Sequence, residues 1–377
     1  MGTRPTTKHS HVGVWSRLIP AIATVSFIFT LGATSASAAK SATCSVTNTD
    51  TGRTYTRLQS AVDAAEASQT LLMKGTCTGR TDIRKDLTIE GLSGPTAARP
   101  SLLGHVPNEY LLNVMRGVSV TLGGLTIRGG RTPPDGGGIQ NRGTLTLRDV
   151  VVRDFRRGVL NQRRLTLSGG TAVKDNRATW CAGVDSNGTL VMNDTSRISG
   201  NSARHMGGGV CNDGSLVMND ASRITRNRAG YWGGGIHNWD DVILNDTSHI
   251  SGNRAGRGGG GVFNALYGSV TLTDAAHISR NRATDGGGVL NHLAVTLNGT
   301  SHISDNTARD DGGGVLDEYG AASLTMHDAA YITGNKAHDD GGGLWHRRHN
   351  RARSRVVCAP ETLANVYGNT PDDCFFE

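Results

Sequence analysis

Long apolar runs are scarce in this chain. After the run from residue 18 to residue 33, no segment has the ~20 apolar residues that a membrane-spanning helix needs. The distance between successive glycine runs also leaves no room for a crossover helix of ~10 residues or more. These two absences exclude further membrane helices and any fold that returns its strands through helices. The apolar fraction is low, at 36%. Glycine takes up the difference: 52 of 377 residues, about twice the usual ~7%, as expected of a chain that turns sharply and often.

A repeat of about 26 residues fills the sequence from Gly136 to about Leu344, built on GGG[VI]xN, then LxM or LxL, then [SA]xIxxN. The last glycines of the runs are Gly138, Gly158, Gly183, Gly209, Gly235, Gly261, Gly288, Gly314 and Gly343, and an aliphatic residue follows each. Alternating pairs such as Leu190/Met192 and Val242/Leu244, and single apolar residues such as Ile224 and Ile250, return at fixed phases. Period-two alternation between Gly/Asn/Asp clusters indicates short strands. The predicted fold is all-β: a right-handed parallel β-helix with three strands per rung and rungs about 4.8 Å apart. Two Asn columns, one closing the first strand (Asn212, Asn238, Asn264) and one after the third (Asn201, Asn227, Asn253), read as structural ladders of stacked amides.

The expected organisation is an export signal over 1–38, an N-terminal cap over 39–70, the β-helix over 71–346 and a capping tail over 347–377. Arg4, Lys8 and Arg17 precede the apolar run, and Ala36-Ser37-Ala38 offers a small-x-small cleavage site. Cleavage removes three positive and no acidic charges from a net +7, leaving +4, too little to demand an acidic partner. Tyr55 to Ser68 carries Leu58, Ala61, Val62 and Ala65 at helical spacing, the pattern of a short helix closing the first rung. Six cysteines in an exported chain point to disulfides, with Cys44–Cys77 and Cys358–Cys374 as the expected pairs. Cys181 and Cys211 lie four positions apart in repeat phase, so a bond between them requires the corner at Trp180 to depart from the repeat. A basic stretch, His346-Arg347-Arg348-His349, reads as a solvated loop, and no nucleic-acid partner is expected.

Rung stacking gathers outward side chains into columns. Asp285, Asp311 and Asp340 share one phase, with Asp310 and Asp339 one position earlier. Such a corner reads first as Asp-Gly turn chemistry. It is also where calcium would bind, or where paired carboxylates would act as acid and base, with Arg309, Lys336 or His338 nearby. Arg197, Arg223, His249, His277, His302 and Tyr331 form a second column, readable as solvated stacking, a metal site or an anion-facing row. Phe263, Leu290, Leu316 and Trp345 continue a third, begun by Cys211 and His237, which should point outward as an apolar contact stripe unless the tail covers it. Trp180 and Trp232, placed at corresponding corners two rungs apart, are candidates for stacking on sugar rings. The NGT and NDT sequons at Asn187, Asn193, Asn245 and Asn298 read as turn sequences.

The stretches Tyr55-Thr-Arg-Leu-Gln-Ser-Ala-Val-Asp-Ala-Ala, Leu71-Leu-Met-Lys-Gly-Thr-Cys and Leu87-Thr-Ile-Glu-Gly resemble the cap and first rungs of the pectin-lyase-like superfamily. Gly207-Gly-Gly-Val and Ile224-Thr-Arg-Asn are similar to the GGA[ILV] and FxxN hallmarks of chlamydial polymorphic outer-membrane proteins. The resemblance spans about residues 50–345 and implies the fold. The enzyme motifs of those β-helices (RxPxxR, WxDH, GHG, RxK) do not occur, and only about 30 residues follow the last rung, too few for an autotransporter barrel. The functional expectation is a secreted, non-catalytic β-helix of a bacterium that binds an extracellular polysaccharide or cell-surface component along its rod. The alternative is a polysaccharide lyase or glycoside hydrolase.

Overall fold

The computed structural model describes residues 43–92, 99–104, 106–130, 136–319, 322–346 and 365–376. The expected export signal, Arg347 to His349 and Cys358 lie outside them. The unit beginning at Ser41 is a parallel β-solenoid. Its rungs pair without slippage: Val210 lies opposite Ile236 and Asn212 opposite Asn238, Leu216 opposite Val242, and Ile224 opposite Ile250. Three sheets of 13, 12 and 12 strands therefore run the length of the solenoid. Register is strict because a one-residue slip would turn every inward side chain out.

Each rung sends four apolar side chains inward. In one of them Val210, Leu216, Met218 and Ile224 are all fully buried, each stabilising by about 2 kcal/mol through removal from water. Close stacking needs a bare α-carbon at the glycine corner, since a Cβ on Gly209 would lie 2.5 Å from the Gly235 carbonyl oxygen.

Both Asn columns are buried ladders, the one that starts at Asn212 leaving that residue's Oδ1 without a partner beside Ser186. Asn227 donates from Nδ2 to the Ile198 carbonyl at 3.0 Å and to Asn253 Oδ1 at 3.1 Å. Its Oδ1 accepts from the backbone and side-chain nitrogens of Asn201, both at 3.0 Å. The other ladder passes through Asn212, Asn238, Asn264 and Asn291 and ends on Asp317, which accepts from Asn291 at 2.8 Å.

The cap contains helix α1, Leu58–Ala64, shorter than the expected span, with Leu58, Ala61 and Val62 buried. The tail adds a last partial rung: Val366–Tyr367 pairs with Tyr331–Thr333 and Cys374–Phe376 with Leu344–His346. Cys44 is bonded to Cys77 as expected. Cys181 is bonded to Cys211, and the departure this requires is visible. The corner after Ala178 is one residue shorter than those after Ala203, Ala229 and Ala255, Cys181 takes a positive φ of 52°, and its N–H reaches the Met206 carbonyl.

One feature differs from the expected three-strand rung. From Arg177–Ala178 onward a fourth, two-residue strand follows each Asn corner, giving an additional six-stranded sheet that ends at Thr307–Ala308. The candidate functional surface is built on this addition.

Candidate functional site: a cleft at the step between short and long rungs

Gly158 follows Gly138 by only 20 residues, whereas Gly183 follows Gly158 by 25 and later intervals are 26 or more. The short rung passes from Val151–Arg153 into Arg157–Asn161 without a fourth strand. Where that strand begins, at Arg177, the outline of the solenoid steps outward. The step forms one wall of a small, open cleft of about 190 Å³, below the ~300–1,000 Å³ of pockets that enclose a drug-sized ligand. Asn108, Glu109, Tyr110, Gly136, Gly137, Arg156 and Arg157, from the short rung and those before it, line it together with Ala178, Thr179 and Trp180 of the next.

Trp180 is held from behind. Its ring stacks on His205 at 4.2 Å, His205 stacks on Tyr231 at 5.4 Å, and the Arg257 guanidinium lies 5.0 Å from the Tyr231 ring centre. These residues share one column, because Ala178, Ala203, Ala229 and Ala255 are in register and each of the four follows its Ala by two positions. Stacked rings and a cation over a ring each contribute up to about 1 kcal/mol, enough to fix Trp180 although it is 46% exposed. The Trp180 face opposite His205 is left to the cleft, a rigid apolar plane of the kind that sugar C–H faces pack against.

The opposite side is polar and largely charge-balanced. Arg157 bridges Asp185 Oδ2 at 3.0 Å and donates to the Tyr110 hydroxyl at 3.2 Å, while its Nε has no partner. Burial pushes the Tyr110 phenol and the Asp185 carboxyl above their usual ranges, and Arg157 pulls both back. Glu109 is paired with Arg80, which also bonds Asp82. Arg156 makes no ion pair among the described residues. The cleft thus offers guanidinium and phenol donors around an apolar wall, an arrangement suited to a hydroxyl-rich ligand.

Beyond Trp180 the fourth sheet carries a row of cations. Arg228, Arg254 and Arg282 lie directly opposite one another on successive rungs, all exposed, with Lys336 two rungs further on. They line a shallow groove whose floor is the backbone of Ala229-Gly230 and Ala255-Gly256 and which Arg309 closes. None of these four arginines has a carboxylate partner among the described residues. Like charges at rung spacing repel, by about 0.2–0.3 kcal/mol per adjacent pair once screening by salt and reorientation of exposed side chains are included.

The expected site residues fare differently. Trp232 does not correspond to Trp180: it pairs with Met206, and the residue equivalent to Trp180 two rungs on is Tyr231. Trp232 packs instead against Phe263, at 6.0 Å. Phe263, Leu290, Leu316 and Trp345 do point away from the main core, but they are 4–8% exposed and form a second core with Trp232, Ala265 and Phe375. The exposed-stripe expectation is therefore corrected. The glycine arc closes over this column, so that a Cβ on Gly258 would meet Leu290 Cδ1 at 2.3 Å. His237 is buried in the same column and stacks on Phe263 at 4.9 Å.

The aspartate corner is brought together, but in turn geometry. Asp311 Oδ1 accepts the Asp340 N–H at 3.2 Å, and the Asp339 N–H bonds the Asp310 carbonyl. Burial, then Asp310, pushes the Asp285 carboxyl up to about 6; burial also raises Asp311. Among the described residues no three His, Cys, Asp or Glu side chains converge to hold an ion. Calcium on Asp285, Asp311 and Asp340 is thus not carried by the geometry, because at least one carboxylate is spent on a backbone amide. The same holds for a metal on the imidazole column. His249, His277 and His302 stack on one another at 4.8 and 4.9 Å, and His302 on Tyr331 at 4.7 Å. Burial pushes His277 down to about 4, so this stack is neutral at pH 7.

Sequence reasoning missed Tyr110, Arg157, His205, Tyr231 and the arginine row. The signal for the cleft was present in the 20-residue interval, which marks a rung lacking a corner. The arginine row was visible as R-A after Asn227, Asn253 and Asn281, once that segment is recognised as a strand.

Comparison with known proteins identifies no relative: no family model, no curated protein and no solved structure matches this chain. The fold is shown by the geometry itself, and function has to be argued from the site.

Proposed function

We propose that this protein is a non-catalytic solenoid that binds a glycan, with the cleft beneath Trp180 as its anchoring site. The observation that carries the reading is Trp180 itself: an exposed ring, fixed by His205, Tyr231 and Arg257, facing Arg156, Arg157 and Tyr110 across a cleft. A flat apolar face opposite several hydrogen-bond donors matches the two faces of a pyranose. Regular rungs add length, so a polymer can be followed beyond the first sugar. The pectin-lyase-like and polymorphic-outer-membrane-protein resemblances, carried by the motif residues, agree with such a role. Two disulfides and the export-like sequence of residues 1–38 support a role outside the cell. No described helix is long and apolar enough to cross a membrane.

The test is retention of the purified chain on a panel of immobilised polysaccharides, with release of reducing ends followed in parallel. Binding that weakens at least tenfold in Trp180→Ala, with the thermal transition of the variant unchanged, supports the reading. Binding indifferent to that substitution removes the cleft from it. Release of new ends would replace it with the lyase or hydrolase alternative.

A further inference from the structure

We infer that the glycan is anionic and that the arginine row of the fourth sheet is the track that carries it away from the cleft. This inference rests on the glycan-binding reading and specifies its ligand. Arg228, Arg254 and Arg282 stand on consecutive rungs in strict register, so their α-carbons repeat at about 4.8 Å. A linear polymer with one anionic group per sugar has a repeat of the same order, and each group can meet a guanidinium.

The floor of the groove is bare. Gly230 and Gly256 stand two positions after Arg228 and Arg254, and a Cβ on either would come within about 2 Å of a carbonyl oxygen of the rung before. At the same position Arg204 is exposed one rung before this bare stretch, Thr284 stands one rung after it, and Arg309 is exposed on the rung beyond that. The row has no internal counter-ions: Arg228, Arg254, Arg282 and Arg309 form no ion pair among the described residues. The carboxylates at that end, Asp310 and Asp311, belong to the neighbouring column before the glycine run. Lone basic side chains on a surface mean little. Three in register, unpaired, the first two beside a glycine floor, and three residues in sequence from the column that backs Trp180, form a continuous anion-binding track. Guanidinium suits either source of charge, carboxylate or sulfate, because its planar fork binds both bidentately.

The deciding experiment measures binding of the purified chain to polygalacturonate (carboxylate), dextran sulfate (sulfate), dextran (neutral) and duplex DNA, over a series of salt concentrations. The variants are Arg228→Gln/Arg254→Gln/Arg282→Gln and the corresponding triple Lys variant, each checked for an unchanged thermal transition. The expected result is binding to one or both acidic glycans that weakens steeply with salt, falls at least tenfold in the Gln variant and is partly restored by Lys. Whichever of polygalacturonate and dextran sulfate binds identifies the anionic group. Equal binding of dextran, or acidic-glycan binding that the Gln variant leaves intact, would overturn the inference while leaving the glycan reading standing. DNA bound in preference to every glycan, or no glycan bound at all, would overturn both.

Discussion

Two ladders of identical residues lie side by side in this solenoid. Asn227, Asn253 and Asn281 turn inward at a corner, and the next residues, Arg228, Arg254 and Arg282, point out. Spacing and register are the same in both, since one backbone sets them. The inner ladder satisfies every amide through its neighbours, so stacking like on like stabilises. The outer ladder stacks like charges with no carboxylate between them, so stacking costs. Repetition in a solenoid is therefore not by itself a sign of stabilisation, and an unpaired charged row needs a reason outside the fold.

Substitution within the ladders tests that contrast most sharply. Asn227→Ala removes four side-chain hydrogen bonds and orphans the Asn201 N–H in a buried site. The expected loss is about 3–5 kcal/mol, read as a lower midpoint in urea unfolding. A loss under about 1 kcal/mol would mean that water or a neighbouring amide replaces the ladder, and would erase the difference between the two rows.

The second core offers an intermediate case, outward in direction but buried. His237 is 2% exposed and its Nδ1 has no hydrogen-bond partner; burial, then His292, pushes its pKa down to about 4. Between pH 6.5 and 4 the unfolded chain takes up a proton that the folded chain refuses. Stability therefore falls as pH drops through that window, by up to about 3 kcal/mol from this group. His277 acts with the same sign. Asp285 acts oppositely, because a carboxyl raised to about 6 holds its proton in the folded state and favours it as pH falls below 6. His237→Phe should flatten the acid limb of a stability-versus-pH curve relative to the wild type, leaving the slope due to His277. An unchanged limb would show that this column is wetter than its burial implies.

The smallest effect is expected from the outer ladder. Arg254→Gln should change stability by no more than about 0.5 kcal/mol, with any gain largest at low salt, where repulsion is least screened. A loss above about 1 kcal/mol in the same urea assay would make the arginine row structural and remove the contrast with the asparagines.

Much of the fold was legible residue by residue. The phase of Val210, Leu216, Met218 and Ile224 marks the inward positions, and Asn201 and Asn212 mark two corners, because a coil of constant rung length puts equal phase at equal depth. The candidate site was legible only in part. Trp180 was visible, but its partner was misplaced onto Trp232, because alignment on the glycine run hides the one-residue deletion at that corner. Counting back from the run instead of forward from Ala178 shifts the column by one. The apolar column at Phe263 was read as either surface or tail-covered for a related reason: alternation along a strand says which face of the sheet a residue takes, not what lies over that face, here the glycine arc together with Phe375 of the tail.

The sequence by itself determined the period, the inward columns and the Asn ladders, which follow from local alternation and repeat phase, and the Cys44–Cys77 pair, which follows from two cysteines flanking the N-terminal cap. Only the tertiary structure decided that the glycine arc folds over Phe263 and Leu290 to make a second core, that a fourth strand begins at Arg177 and leaves a cleft, and that Trp180 rests on His205 and Tyr231. Those outcomes depend on how the corners of neighbouring rungs pack. Corner packing is set by the difference in length between adjacent copies, a relation between rungs that no single copy contains.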